Sequence, residues 1–294
     1  MSDGGSGDER SRAAGRDADG EAPWRVTCAQ LEIRESDREG NVDRAMTAVE
    51  RAAERGSHLV VLPEMFTVGY FAFDSYARTA ESLHGETMQR LAATADAADC
   101  AVLAGTFVED LAATVAETDA DVPATEGFAN TAVLFDAAGE RRSVYRKQHL
   151  FGYGSTEQEL LTPGESLGVA DLDGLTVGTT TCYDLRFPEL YRELVDRGVD
   201  LVAVPSAWPY PRVEHWQLLP RARAVENLCY VAAANGSASF GEEQLVGRST
   251  VYDPWGTPLA STGDDPALVT AEVDPDRVRA VREEFPALRD RRTD

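Results

Sequence analysis

The chain has 294 residues, 43% of them hydrophobic, which is enough to bury one continuous core and excludes a disordered or fibrous protein. Its 51 acidic residues against 28 basic ones give a formal net charge of −23, a field that repels nucleic acid and anionic membranes. No apolar run approaches the roughly 20 residues that a bilayer crossing requires.

Residues 1–23 are rich in Gly, Ser, Asp, Glu and Arg and lack the apolar stretch of a signal peptide. They read as a disordered polar tail ahead of one folded domain over 24–294, with the cytoplasm as the expected compartment. The excess of acid, with few lysines among the basic residues, suggests a halophilic, salt-rich cytoplasm in which screening suppresses self-repulsion. Stability that rises with added salt is the matching expectation.

From Trp24 the pattern is regular. Arg25–Ile33 alternates as a strand, and Val42, Ala45, Met46, Val49, Ala52 and Ala53 recur at helical spacing, with Asn41 as N-cap and Gly56 as stop. His58–Leu62 is a nearly unbroken apolar run ending at Pro63-Glu64, which puts the carboxylate at a strand's C-terminal end. A helix near Thr87–Ala98 and a strand at Ala101–Phe107 follow, and the acidic, Ala/Thr-rich stretch 109–126 reads as a loop insertion outside the core. Asn130–Phe135, a turn at Asp136–Gly139 and Ser143–Lys147 form a hairpin with Lys147 at the end of its second arm. Leu175–Thr181 is a strand, Cys182 lies in the tight turn after it, and Pro188 opens a helix bearing Leu190, Tyr191, Leu194 and Val195. Strands at Asp200–Pro205, Tyr230–Ala234, Gly247–Tyr252 and Leu268–Val273, a helix near Glu214–Asn227 and another after Pro275 complete the series. Hairpins mixed with strand–helix units indicate an α/β protein, a layered sandwich of mixed sheets covered by helices.

The four cysteines form no CxxC pair, which argues against zinc and disulfides, and Cys28, Cys100 and Cys229 read as packing residues. Cys182 differs by its place where a strand turns into a helix: unpaired N–H groups and the positive dipole end there favour a thiolate and bind a developing oxyanion. The plainer alternative is a small residue demanded by a tight turn. Glu64, flanked by Pro63, Met65 and Phe66, is in surroundings that raise a carboxylate toward the pKa of a general base, although a salt-bridged structural glutamate fits the same place. Lys147 is either a cation reaching across a pocket or a solvated surface charge. His149 is read as a pocket-wall or surface residue in preference to a partner of the cysteine.

Leu62-Pro63-Glu64-Met65-Phe66, Tyr145–Phe151 and Thr181–Glu189, in that order, resemble the three signature blocks of the nitrilase superfamily of carbon–nitrogen hydrolases, and the likeness extends from about Trp24 to the final helix. The resemblance implies a four-layer α-β-β-α sandwich. It implies that Glu64 deprotonates Cys182, that Lys147 and the backbone N–H of Tyr183 hold the tetrahedral oxyanion, and that a thioester forms and is hydrolysed. It also implies a second glutamate ahead of a Pro-Gly turn, for which Glu157 is the choice and Glu159 the alternative. No metal or organic cofactor is implied. Cys182–Glu189 is most similar to the branch containing omega-amidases, which implies a small linear amide and water as substrates, ahead of an N-carbamoyl amino acid or a nitrile. A non-catalytic scaffold on the same fold is the alternative from another class. Tyr70, Phe151, Trp208 and Tyr210 are candidate pocket walls, and Arg186 either binds a substrate carboxylate or holds its loop by pairing with Asp184 and Glu189. The resemblance further implies a homodimer or larger assembly, with the helix around Arg221 and Arg223 as candidate contact.

Overall fold

The computed structural model describes residues 23–292, so the expected tail at 1–23 lies outside the described residues except for Pro23. One sheet has the strand order β15 (Ala267–Val273), β1 (Trp24–Gln30), β2 (Leu59–Val61), β3 (Ala101–Leu103), β5 (Phe128–Phe135) and β4 (Phe107–Asp110), with β6 (Arg141–Arg146) also paired to β5. The second has the order β14 (Pro258–Ser261), β13 (Thr250–Tyr252), β10 (Tyr230–Asn235), β9 (Leu201–Ser206), β8 (Leu175–Thr179) and β7 (Gly168–Leu172). Both are mixed: β1, β2 and β3 are parallel, as are β8, β9 and β10, while hairpins and returning strands are antiparallel.

Side-chain alternation explains why these strands appear as unbroken apolar runs. Leu59 and Val61 join the core between the sheets while Val60 joins the core beneath the helices Arg38–Glu54 and Glu86–Ala98. Likewise Leu201 and Ala203 face the first sheet, whereas Val202 and Val204 face the helices Pro188–Asp196 and Val213–Asn227. A strand covered on both faces needs apolar residues at every position. The result is helix, sheet, sheet, helix: four layers enclosing three apolar clusters, each buried aliphatic side chain worth about 1.5–3 kcal/mol. Cys28, Cys100 and Cys229 each sit in one cluster, and burial raises all three thiols, the latter two to about 12. Among the described residues no helix is long and apolar enough to cross a membrane.

Several local expectations are corrected. The first helix is capped by Asp37, whose carboxylate accepts from Gly40 N at 3.2 Å. Asn41 instead donates to the carbonyls of Arg34 (2.7 Å) and Thr67 (2.9 Å), tying two loops together from inside. The 109–126 stretch is not all loop: Glu109 and Asp110 end β4, and Leu111–Glu117 is helical with Leu111 and Thr114 buried. Glu109, fully buried, takes two hydrogen bonds from the Arg146 guanidinium at 2.7 and 2.8 Å and one each from the hydroxyls of Thr114 and Thr131. Hydropathy alone reads such an acid as surface, because its partner comes from a different strand. The expected strand Ala101–Phe107 is broken at Gly105, where φ is +42° and a Cβ would lie 2.1 Å from the Pro63 carbonyl oxygen. That close approach lets Thr106 support the Pro63-Glu64 segment.

Removing one member of a buried, hydrogen-bonded ion pair strands the other charge. Arg146→Met should therefore lower the unfolding free energy by about 3–5 kcal/mol in urea titrations; a midpoint equal to that of the wild type would show that Glu109 finds another partner or a proton.

Candidate functional site

Four strand ends converge on one point between the sheets, the carboxyl-end location typical of ligand sites in α/β proteins. Glu64 follows β2, Lys147 follows β6, Cys182 comes three residues beyond Thr179 at the end of β8, and Ala207 follows β9. The Glu64 N–H donates to Ser206 O at 3.3 Å, joining the ends of β2 and β9 across the two sheets. Lys147 N donates to Asn130 O at 2.9 Å, extending the β5–β6 ladder by one pair. Alternation then sends Asn130 and Lys147 to the side opposite Thr131 and Arg146, which hold Glu109.

The charges at this point form a closed network. Lys147 Nζ donates to Glu64 Oε1 and to both oxygens of Glu157, each at 2.9 Å, and all three side chains are fully buried. Asn130 Nδ2 bridges the two carboxylates, donating to Glu64 Oε1 and Glu157 Oε1 at 2.9 Å each. Glu64 Oε2 accepts from Ala207 N at 2.9 Å, and Glu157 Oε2 accepts from Phe151 N (2.7 Å) and the Tyr70 hydroxyl (3.1 Å). Lys147 is the one lysine among the chain's 28 basic residues. Glu157 is thus the glutamate brought to the lysine, and Glu159 is exposed. Asn130 carried no signal in the sequence, since a single polar residue opening an apolar strand has no motif.

One ammonium faces two carboxylates, and the pKa directions follow from that imbalance. Burial raises Glu64 above its ordinary value, Lys147 opposes the rise, and Glu157 adds to it. Burial works against the charge of Lys147, yet Glu157 and Glu64 outweigh it and hold the ammonium well above its usual value. Cys182, 9% exposed, has a thiol within hydrogen-bond reach of Glu64 and the Ala207 N–H. Burial, then the charge of Glu64, pushes that thiol well above its ordinary pKa, against the opposing pull of Lys147. The expectation of a thiolate poised by a helix end is therefore corrected: Cys182 begins a five-residue 3-10 turn, Cys182–Arg186, and the helix starts only at Pro188. The resting group is a thiol beside a carboxylate whose pKa burial also raises.

Backbone strain surrounds these groups. Cys182 (φ +46°) and Met65 (φ +48°), the residue after Glu64, occupy the left-handed region, a cost of order 1–3 kcal/mol each for side-chain-bearing residues. Asp184 holds the cysteine turn: one carboxylate oxygen accepts from Thr181 N (2.8 Å) and the Tyr145 hydroxyl (2.6 Å), the other from His149 N (3.1 Å) and its ring Nδ1 (2.8 Å). His149 also stacks on Phe187 at 3.7 Å, so it links the lysine loop to the cysteine turn. Met65 N donates to the Thr106 hydroxyl at 2.8 Å.

Above this floor opens a cleft of about 210 Å³ lined by Tyr70, Lys147, Phe151, Cys182, Tyr183, Arg186, Trp208 and Arg212 among others. All four expected substrate-side residues, Tyr70, Phe151, Arg186 and Trp208, are in its wall. Tyr210 is not: its hydroxyl donates to Asp264 at 2.6 Å, and Arg248 binds the other oxygen of that carboxylate. Nor does Arg186 pair with Asp184 or Glu189; its guanidinium donates to His215 Nδ1 (3.1 Å) and lies 5.3 Å from the Trp208 ring and 5.9 Å from that of Tyr183. Asp184 is spent on the turn itself, which is why it is not available to the arginine.

A family model described as carbon-nitrogen hydrolase matches residues 25–283. The chain belongs to the carbon–nitrogen hydrolase family. A 2-oxoglutaramate amidase of Paenarthrobacter nicotinovorans is 37% identical over 240 residues, covering 80% of this chain and 79% of that protein. An omega-amidase of Homo sapiens is 33% identical, covering 92% of this chain and 96% of its own. Among solved structures, Nit3 of Saccharomyces cerevisiae, a member of branch 10 of the nitrilase superfamily, superposes with a TM-score of 0.80 at 30% identity, covering 91% of this chain and 96% of its own. A mutant of the amidase from Nesterenkonia sp. AN1, with the acetamide moiety of fluoroacetamide added covalently at its active-site cysteine, gives a TM-score of 0.76 at 29% identity and covers 92% and 94%. The nitrilase-type four-layer sandwich and membership of this hydrolase superfamily, on the side of the omega-amidases, stand as the sequence blocks implied. The protein is an enzyme of carbon–nitrogen hydrolysis.

The raised pKa of Glu64 also predicts a stability trend. Because the folded protein holds this proton more tightly than the unfolded chain, the wild type loses relative stability as pH rises through the folded-state value. The melting temperature of Glu64→Gln minus that of the wild type should increase from about pH 4 to about pH 8, whatever its constant offset; a difference that falls with pH would mean Glu64 is held ionised instead.

Proposed function

We propose that the chain hydrolyses a small linear amide, an omega-amidase-like reaction, with Cys182 as nucleophile, Glu64 as general base, and Lys147 and the Tyr183 backbone N–H as oxyanion donors. The observation carrying this reading is the buried network in which Lys147 is shared by Glu64 and Glu157 beside the Cys182 thiol at the floor of a small cleft. The thiol proton passes to Glu64 as sulfur attacks the carbonyl carbon, and the C=O electron pair collects on oxygen. Lys147 stands fixed in a dry site to meet that charge, and the first-turn N–H of Tyr183 has no helical acceptor. Glu64 then returns its proton to the leaving nitrogen as the C–N bond breaks, leaving a thioester. Water, deprotonated by the same carboxylate, hydrolyses the thioester, releasing the acid and restoring the thiol. Glu157 and Asn130 keep the lysine and the base in position.

Ammonia release from a panel of small amides, N-carbamoyl amino acids and nitriles tests the reading. Turnover should be confined to amides and abolished in Cys182→Ala; preference for carbamoyl compounds or nitriles would reassign the substrate, and no turnover by the folded protein would favour a non-catalytic scaffold.

We further propose a homodimer or larger assembly in a salt-rich cytoplasm. Arg223 is withdrawn as a contact, because it is buried and donates twice to Leu185 O at 3.0 and 2.7 Å. Leu218 (61% exposed), Arg221 and Val225 (44%) instead form one outward stripe of the helix Val213–Asn227, an exposure suited to a partner copy. Light scattering should give at least twice the monomer mass, reduced by Leu218→Asp, with thermal stability rising as salt is added; a monomer at all protein concentrations would sink the assembly.

A further inference from the structure

The peptide unit between Ser206 and Ala207 is bound to the site from both ends. Its N–H donates to Glu64 Oε2 at 2.9 Å and reaches the Cys182 thiol, and its carbonyl accepts from Glu64 N and from Gly236 N at 3.3 Å each. The two residues cannot fix this peptide by themselves: Ala207 has no polar side chain, and among the described residues Ser206 Oγ has no hydrogen-bond partner. Its orientation therefore comes from outside.

Asn235, the last residue of β10, is fully buried and paired in register with Ser206. Its Oδ1 accepts from Trp208 N (2.8 Å) and Gly236 N (3.0 Å), and its Nδ2 donates to Gly247 O (2.9 Å) and Trp208 O (3.3 Å). A primary amide has two acceptor sites and two donors, and here all are used. Trp208 is thus gripped through both its N–H and its carbonyl, one residue beyond Ala207, while the Gly236 N–H is shared between the amide and the Ser206 carbonyl. The chain from Asn235 to Gly247 makes the small hairpin β11 (Ser239–Phe240) and β12 (Glu243–Gln244), and the same amide closes its base. The Asn235 backbone is tied separately: its N–H donates to Ser249 Oγ at 2.9 Å, which donates in turn to Gln30 Oε1 at 2.9 Å. An aspartate would face two carbonyl oxygens, and an apolar side chain would leave buried N–H groups unpaired.

We infer that Asn235 is a positioning residue of the reaction, whose amide orients the backbone of 206–208 so that the Ala207 N–H meets Glu64 and the Cys182 sulfur while the Trp208 ring stands in the cleft wall. This rests on the reading of Cys182 as nucleophile and Glu64 as its base. A hydrogen bond to a carboxylate or a thiolate favours the charged form, so an Ala207 N–H that swings away leaves less thiolate at any given pH.

Alkylation of Cys182 by iodoacetamide, followed by mass spectrometry with Cys182→Ala as the blank, reads the supply of thiolate apart from turnover. In Asn235→Ala the rate should fall about 10- to 100-fold at about pH 7, the scale of one hydrogen bond to a charged group, and its rise with pH should move to higher pH. Asn235→Ser keeps one donor and one acceptor; it should lie between the two and decides the matter if Asn235→Ala does not fold. Ser249→Ala removes a bond to the Asn235 backbone and leaves the amide in place, so it should lower the melting temperature without moving the alkylation profile. The kcat for the best amide should fall in step with alkylation. An unmoved profile in the Asn235 variants, or an equal shift in Ser249→Ala, would overturn the role. The expected alkylation shift in a protein whose wild type hydrolyses no amide would instead uphold the positioning role and sink the amidase reading.

Discussion

One buried ammonium shared by two carboxylates is the constraint on which the rest of this protein depends. Lys147 neutralises one of the pair Glu64 and Glu157, and the remaining charge is accommodated by fixed donors: Asn130 between the carboxylates, Ala207 N on Glu64, Phe151 N and Tyr70 on Glu157. A site with that surplus resists a second anion, which keeps Cys182 protonated at rest and Glu64 basic. In the proposed reaction the same surplus makes Glu64 a base for the thiol proton, so that reactivity would arise from crowding of negative charge and not from a preformed thiolate.

Such crowding persists only where the backbone leaves it no escape. Glu64 N is tied to Ser206 O across the two sheets, so separating the base from the β9 end would mean separating the layers. The left-handed residues Cys182 and Met65 are held by the Asp184 bonds and by Thr106, interactions that reach from neighbouring strands and loops. Packing in the three apolar clusters provides the stability against which this local strain is set.

Floor and mouth of the cleft follow different chemistry. At the floor Glu64 and Glu157 are fully buried and each of their carboxylate oxygens accepts at least one hydrogen bond, a setting that strengthens electrostatic interactions. At the mouth, rings of Phe151, Tyr153, Tyr183 and Trp208 carry guanidinium groups on their faces, a softer environment that can admit and release a small ligand.

The strand and helix series, the mixed-sheet sandwich and the strand-end positions of Glu64, Lys147 and Cys182 were legible in the chain because they rest on local periodicity and short blocks. Asn41, Glu109 and the 109–126 stretch were misread for one shared reason: a buried polar residue looks like surface until its partner, here Arg34, Thr67 or Arg146, arrives from elsewhere. Asn130 and Arg212 were missed, Arg186 does not pair with Asp184 or Glu189, and Arg223 turns inward to Leu185 O, for the same cause. Local order along a strand is written in consecutive residues, but whether two charges lie 2.9 Å apart depends on how separate strands pair. In this protein that pairing chose Glu157 over Glu159, turned Asp184 inward and left Arg212 facing the cleft.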